Sequence, residues 1–171
     1  MTGRLTMTPD IAALGVSMRP ETGDDIAFLR RLHVANRWHE LTQTGWPDAQ
    51  KAAFLGQQAD FQRIHYAKAY GDAAFLIVEA QAGPIGRLCV WRSADEICIV
   101  DIALLPEAHN RGIGSALLRS VMEEARALGL PVRLSVEQFN PAQRLYRRLG
   151  FKETGAAAPY LRMEWRGPPE T

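Results

Sequence analysis

The length, composition and charge of the chain exclude several classes of protein. Its 171 residues are 47% hydrophobic, which suits one folded domain with a substantial core. The formal net charge of +1 and the isoelectric point near 7.9 give no general attraction to nucleic acid or to anionic membranes. No apolar run is long enough to span a membrane, and the N-terminal segment lacks the apolar stretch of a signal peptide. We therefore predict a cytoplasmic protein that binds neither nucleic acid nor membrane.

The first part of the chain is predicted to form a strand and two helices. Residues 1–13 have the pattern of a loose tail, and a short strand is predicted over residues 16–19. Either Thr22 or Asp24 can cap a helix whose apolar residues recur at helical spacing, and a second helix is predicted over residues 47–70. The segment between the two helices is rich in aromatic and polar side chains and lacks helical periodicity.

Five strands are predicted after the second helix. The first three, over residues 74–80, 85–91 and 96–104, form an antiparallel meander because short turn sequences join them. Two more strands are predicted over residues 132–136 and 160–165.

The chain contains two cysteines, Cys89 and Cys98, which cannot form a disulfide framework. They lie opposite each other if the turn between their strands falls at residues 93–94, and in a reducing cytoplasm we expect two small core thiols. The four histidines have no metal-ligand spacing, so no metal site is predicted.

A glycine-bearing segment, residues 109–115, lies between an apolar strand and an amphipathic helix of about four turns that ends at Gly129. The unpaired amides and the dipole of a helix N-terminus favour an anion at that end. Gly112 and Gly114 carry no side chain that would keep a ligand away from the backbone, and Arg111 adds a positive charge. We interpret the segment as a cradle for a pyrophosphate group.

The spacing of these glycines restricts the kind of phosphate loop that the segment can form. The chain contains no Walker sequence, and Leu117 stands where a dinucleotide fingerprint needs its third glycine. Neither NTP hydrolysis nor NAD binding is therefore predicted. Taken alone, the two glycines are also typical of tight packing between a strand and a helix.

A second segment, residues 140–151, carries the signals of its own helix boundaries. Asn140 is a suitable N-cap, Pro141 suits the first helical position, and Gly150 stops the helix. Because the strand over residues 132–136 ends directly before it, two strand-to-helix turns are predicted to lie side by side.

Together the two segments resemble the signatures of the GNAT superfamily of acyl-CoA N-acyltransferases. Residues 109–114 match Gln/Arg-x-x-Gly-x-Gly/Ala except at the first position, where His109 stands. Residues 140–151 match Asn-x-Ala-x-x-Leu-Tyr-x-x-x-Gly-Phe throughout. The resemblance is close over residues 96–155 and extends over residues 17–95 only in the order of elements.

The resemblance implies an α+β fold, with one GNAT-like domain over residues 14–167 and tails over residues 1–13 and 168–171. Its single mixed, mainly antiparallel sheet has six to seven strands and helices on both faces. The sheet is splayed between two central strands that end near Leu104 and Val136. Backbone groups left unpaired at the splay can hydrogen-bond the pantetheine arm of CoA.

The resemblance also implies a binding site for acetyl-CoA as co-substrate. Backbone groups of residues 102–104 pair with the pantetheine amides, the amides of residues 111–115 hold the pyrophosphate, and Asn140 holds the side of the arm. The residues predicted to bind the cofactor are Ile102, Ala103, Leu104, His109, Asn110, Arg111, Gly112, Ile113, Gly114, Ser115, Asn140 and Tyr146.

Tyr146 is the predicted catalytic residue. The family suggests that a primary amine attacks the acetyl thioester directly and that the Tyr146 phenol gives a proton to the CoA thiolate, contributing roughly 10²–10⁴-fold in rate. The alternative is that Tyr146 is an aromatic residue packed in the core. His109 departs from the usual glutamine or arginine, which affects cofactor affinity more than identity, and His109→Gln is expected to tighten CoA binding or leave it unchanged.

No general base is assigned from the sequence. Family members that use one often place Glu or His near the positions of Cys98 and Val100, and neither residue here is a base. Glu96, Asp101 and Glu137 remain candidates for a relay through water, and Asp101 is equally explained as the partner of an arginine or a backbone amide. An acceptor amine of low pKa is favoured, because less of it is protonated at neutral pH.

The identity of the acceptor is left open. Residues 36–46 are expected to wall the acceptor pocket, where two tryptophans with Arg37 and Glu40 either frame a small polar acceptor or pin a long loop to the core. We predict a small-molecule or terminal-amine acceptor, and the alternative function is a catalytically weak acyl-CoA-binding sensor or partner module. Modification of protein lysines would need an acidic groove that this segment lacks. Dimerisation is common among similar proteins, and a homodimer is left open because the sequence shows no interface signal.

Overall fold

The structure, a computed structural model, describes residues 7–168. Within these residues the strands are β1 (Ser17–Pro20), β2 (Ala74–Ala80), β3 (Gly83–Arg92), β4 (Ile97–Leu104), β5 (Val132–Glu137), β6 (Lys152–Ala157) and β7 (Tyr160–Trp165). The α-helices are α1 (Pro9–Ala13), α2 (Ile26–Arg37), α3 (Asp48–Ala69), α4 (Ile113–Leu128) and α5 (Gln143–Arg148). Short 3-10 turns span Gly23–Asp25, Trp38–Leu41 and Pro106–Ala108.

The strands form one mixed sheet in the order β1-β2-β3-β4-β5-β7-β6. All neighbouring strands are antiparallel except β4 and β5, which are parallel. The parallel pairing covers only Ile97–Ile99 against Val132–Leu134, after which the two strands separate. The α+β class and the splayed sheet are therefore confirmed.

Helices cover both faces of the sheet because its strands alternate their buried side chains between two cores. Val78 and Leu88 belong to the larger core, which also contains residues of α1 and α4. Ile77, the neighbour of Val78, belongs to a second core with Leu29 and Leu32 of α2. Since successive strand residues point to opposite faces, this alternation places α4 on one face and α2 on the other.

The glycine signals define the boundaries of α4 as predicted. Gly112 before the helix and Gly129 after it adopt left-handed conformations, with φ of 80° and 68°. The segment with α5 differs in detail, because the regular helix begins only at Gln143. The Asn140 side chain accepts a hydrogen bond from the Ala142 amide at 2.9 Å, so the residue predicted as N-cap forms a turn ahead of the helix.

Two further features differ from the sequence-based expectations. Strand β6 was not predicted, because its residues are mostly exposed and show no apolar alternation. The predicted N-terminal tail contains α1, whose Ile11 is buried in the core. Residues 1–6 and 169–171 of the two predicted tails lie outside the described residues.

The two cysteines do not lie opposite each other. Cys89 pairs with Asp101, and Cys98 pairs with Trp91. The reason is that the turn is centred on residues 94–95, with Arg92 paired to Ile97, and not on residues 93–94. A β-bulge between Cys89 and Val90 then moves the partner of Cys89 one residue further, to Asp101. None of the helices formed by the described residues combines the length and apolarity that a membrane crossing needs.

Candidate active site

The separation of β4 from β5 opens a cavity of about 1340 Å³, which has room for an extended ligand. Eleven of the twelve residues predicted to bind the cofactor line it: Ile102, Ala103, Leu104, His109, Asn110, Gly112, Ile113, Gly114, Ser115, Asn140 and Tyr146. The remaining one, Arg111, is exposed and is not part of the lining.

The loop before α4 leaves the first amides of the helix without a cap. No side chain among the described residues caps the N-terminus, and the first turn contains no acidic residue. Gly112 and Asn110 both have left-handed backbone conformations, with φ of 80° and 59°. The helix therefore points free amides and the positive end of its dipole into the cavity, an arrangement that favours an anion.

The space around Gly112 and Gly114 does not support the alternative that glycine is needed there for tight packing between strand and helix. A Cβ added at Gly112 would meet no atom within 4 Å, and one added at Gly114 would lie 3.6 Å from a methyl carbon of Leu145. Both are tolerable in van der Waals terms, so close contact between strand and helix does not require glycine here. Gly112 is instead required by its positive φ.

The carbonyl oxygen of Leu104 is an occupied acceptor at the end of β4. It accepts hydrogen bonds from Asn36 Nδ2 at 2.9 Å and from His109 Nε2 at 2.8 Å. The His109 ring therefore carries a proton on Nε2 and binds the backbone. Asn36, which sequence reasoning placed only within a loop segment, lies on α2 and joins that helix to β4.

Tyr146 is both packed and open to the cavity. Only 7% of its surface is exposed, and its ring lies 5.9 Å from that of Phe151, yet it lines the cavity. No described group hydrogen-bonds its hydroxyl. Burial, with a smaller effect of the Asp101 charge, raises the pKa of the phenol to about 12. The phenol therefore stays protonated at neutral pH and remains a hydrogen-bond donor.

Two sequence comparisons found similar acetyltransferases. A family model described as the acetyltransferase (GNAT) domain matches residues 71–153. A Bacillus subtilis protein, whose name provisionally describes a ribosomal protein bS18-alanine N-acetyltransferase, is 33% identical over 93 residues, or 52% of this chain. The match spans 60% of the length of this Bacillus subtilis relative. The residues matched by the family model run from β2 through α5 and include both segments that resemble the GNAT signatures.

Two solved structures share the fold. The PaiA N-acetyltransferase of Thermoplasma acidophilum, solved in complex with coenzyme A, gives a TM-score of 0.67 at 18% identity over 89% of this chain and 99% of that chain. Ard1 of Thermoplasma volcanium gives a TM-score of 0.59 at 19% identity over 89% of this chain and 97% of that chain. At this level of identity the likeness concerns the fold.

One end of the cavity lies between α2 and the end of β5. Arg37 of α2 donates a hydrogen bond to Glu137 at 2.8 Å and another to Glu40 at 3.0 Å. All three residues line the cavity. The interaction of Arg37 with Glu137 therefore spans the opening.

The tryptophans of this segment do not frame the cavity. Trp46 packs edge-on against Phe54 at 5.5 Å, and Lys51 lies over the Trp38 ring at 5.4 Å. Neither ring is part of the cavity lining. The two rings therefore attach the loop to α3, although neither ring belongs to either core, so the explanation of a loop pinned to the core holds only in part.

Asp101 lies in the cavity lining beside a buried arginine that the sequence analysis did not single out. Arg87 Nη1 lies 3.6 Å from Asp101 Oδ2, and Arg87 Nε lies 3.3 Å from Glu21 Oε2. Burial raises the pKa of Asp101, against the opposing effect of the Arg87 charge. The available signal was the charge of Arg87 in the interior of β3, whose only other charged residue, Arg92, is its last.

Proposed function

We propose that this protein belongs to the GNAT superfamily and transfers the acetyl group of acetyl-CoA to a primary amine by direct attack of the amine on the thioester. The observation that carries the proposal is the cavity between β4 and β5, which has an uncapped helix N-terminus and the Tyr146 phenol in its lining. The helix N-terminus can bind a pyrophosphate, and the Tyr146 phenol can donate a proton to the leaving sulfur. The PaiA structure, solved with coenzyme A, has the same fold.

The β4 ladder indicates which backbone groups are available to the pantetheine arm. The Leu105 amide donates to the Ile85 carbonyl of the neighbouring strand, β3, so the backbone groups of Leu104 and Ile102 point away from β3. Because the Leu104 carbonyl already accepts two hydrogen bonds, we assign the arm mainly to Ile102. Ala103 contributes its side chain to the cavity lining and points its backbone groups toward β3.

Tyr146 acts first as a hydrogen-bond donor to the sulfur. With a pKa of about 12, its phenol is a weaker acid than a thiol of pKa about 8.5 in water. A thiolate leaving within a buried site is more basic than one in water, because the site solvates its charge poorly. The proton therefore moves from Tyr146 to sulfur as the carbon–sulfur bond breaks.

We assign the acceptor to amines that are partly neutral at physiological pH, of which the α-amine of a peptide N-terminus is the best example. Such an amine has a pKa of about 7.7–8.0, whereas a lysine amine at about 10.4 is nearly fully protonated. The provisional name of the Bacillus subtilis relative concerns an alanine amine of a ribosomal protein, which is consistent with this class.

The experiment measures thiol release from acetyl-CoA with small amines and N-terminal peptides, together with calorimetric titration of CoA. Tyr146→Phe should lower kcat by roughly 10²–10⁴-fold and leave the Kd of CoA within about threefold. The matched control is Tyr70→Phe, because Tyr70 packs on Trp91 away from the cavity lining. Tight CoA binding without turnover for any amine would favour the sensor or partner-module function, and absence of CoA binding would exclude both.

A further inference from the structure

Four carboxylates stand close to the cavity or were candidates for a relay, and three of them are engaged. Glu137 and Glu40 each accept a hydrogen bond from Arg37. Glu96 is bonded to Arg133 and is not part of the lining. Asp101 is different, because no described side chain hydrogen-bonds to it and its closest cation is 3.6 Å away. Apart from a backbone hydrogen bond from Ile102, its carboxylate has lone pairs in the cavity lining that no described side chain occupies.

A β-bulge explains why Asp101 points to this side of the sheet. Ile99 pairs with Val90 and lies in the core beneath α4, whereas Asp101 pairs with Cys89. On a regular strand, residues two apart share a face. The extra residue, Val100, reverses the alternation, so Asp101 is directed to the face opposite that of Ile99.

Arg87 lies beside this carboxylate, and its own side chain is fixed by burial and by two aromatic rings. Its side chain is 5% exposed, and its guanidinium lies between the rings of Tyr66 and Phe75 at 5.7 Å and 5.6 Å. Arg87 is near two carboxylates, those of Glu21 and Asp101. When both are ionised the cluster carries one excess negative charge, which attracts an ammonium group into the cavity.

We propose that Asp101 accepts the proton of the acceptor ammonium and that Arg87 is the positioning residue for its carboxylate. The inference rests on the proposed acetyl transfer. One ammonium proton passes to Asp101, and the freed nitrogen lone pair forms a bond to the thioester carbon. The carbon–sulfur bond then breaks, Tyr146 protonates the thiolate, and the second nitrogen proton restores the phenol. Asp101 finally releases its proton to water.

The groups that affect the charge of Asp101 come from several elements: Arg87 and Cys89 of β3, Glu21 after β1, His33 and Arg37 of α2, Tyr66 of α3 and Tyr146 of α5. Burial raises the pKa of Asp101, and Arg87, His33, Arg37 and a backbone hydrogen bond from Ile102 oppose that shift. Because Asp101 works as a carboxylate, activity should fall on the acidic side as it becomes protonated.

The test compares kcat/KM of the wild type and Asp101→Asn across pH with one peptide acceptor. At neutral pH the asparagine variant should lose roughly 10²–10⁴-fold, and the loss should shrink above the pKa of the amine, where solution supplies the neutral nucleophile. Thermal unfolding and the Kd of CoA should stay unchanged. Glu96→Gln is the matched control, because Glu96 lies outside the cavity lining.

Arg87 provides a second readout that does not depend on the amount of folded enzyme. Arg87→Met should move the acidic limb of the pH profile to higher pH, because the cation that favours the Asp101 carboxylate is gone, and Arg87→Lys should restore its position. If the wild type is active, two results would contradict the role of Asp101 and leave the proposed acetyl transfer intact. They are a loss of kcat/KM in Asp101→Asn that does not depend on pH, and a kcat/KM of Asp101→Asn equal to that of the wild type. A wild type without turnover would overturn both proposals.

Discussion

The carbonyl oxygen of Leu104 joins three parts of the chain that are distant in sequence. Asn36 from α2 and His109 from the loop before α4 both donate hydrogen bonds to it. Each such bond contributes about 1 kcal/mol net, which is small for the stability of the domain. It is large enough to fix where the loop lies relative to the end of β4, and hence where the free amides of α4 lie.

The role of His109 is testable by replacing its donor. His109→Gln keeps an N–H donor that can reach the same carbonyl, so the Kd of CoA should stay within about threefold. His109→Leu removes the donor and should weaken CoA binding by about 1 kcal/mol, or roughly fivefold. Calorimetric titration of CoA measures both. A large loss in His109→Gln would contradict this role and show that the imidazole itself contacts the ligand.

At the level of elements, helix α4 packs its apolar face in the core and directs its N-terminus to the cavity. Leu117, Leu118 and Val121 of this helix are fully buried, so its axis is fixed by packing. Its N-terminus is uncapped, which leaves amides that an ordinary helix would satisfy with a side chain. The rigid end of the helix holds these amides in place before any ligand arrives.

Alanine variants at the two glycines that flank α4 distinguish an effect on stability from an effect on CoA binding. Gly112 and Gly129 have positive φ and no atom within 4 Å of an added Cβ, so alanine at either position should cost about 1 kcal/mol of unfolding free energy. Only Gly112→Ala should also weaken CoA binding, by about tenfold or more, because its methyl group would crowd the ligand. Denaturant unfolding and CoA titration distinguish the two effects, and equal CoA affinities in both variants would contradict the cradle.

The elements that the sequence predicts well are those whose signals are local. The bounds of α4 follow from apolar periodicity and Gly129, and β7 follows from its alternation. The edge strand β6 forms because β7 is available as a partner, which its own exposed residues do not reveal. The contact between Arg87 and Asp101 depends on a β-bulge, so it exists only at the level of the assembled sheet.

On the scale of the whole molecule, the cavity exists because the pairing of β4 and β5 stops after Ile99. The larger core beneath the sheet includes the first residues of both strands, Ile97 and Val132, and supports the closed part of the pair. Beyond that point Asn36 and Arg37 join α2 to the ends of β4 and β5. Helix α2 is thus connected to both sides of the opening.

The contact between Arg37 and Glu137 should therefore affect the shape of the cavity more than the stability of the fold. The two side chains are 29% and 34% exposed, and a pair in that range contributes about 0–1 kcal/mol to stability. Glu137→Gln should change the unfolding free energy by less than about 1 kcal/mol but raise the KM of the acceptor severalfold, because Arg37 is released from β5. Unfolding curves and steady-state kinetics measure the two quantities.

The control for this pair is Arg30 with Asp60, which joins α2 to α3 through two hydrogen bonds and does not line the cavity. Asp60→Asn should leave the KM of the acceptor and the KM of acetyl-CoA unchanged. Raising the salt concentration should mimic Glu137→Gln, since screening weakens a half-exposed ion pair, and the variant itself should respond less to salt than the wild type. Equal salt dependence of the acceptor KM in both proteins would show that the ion pair does not set the width of the opening.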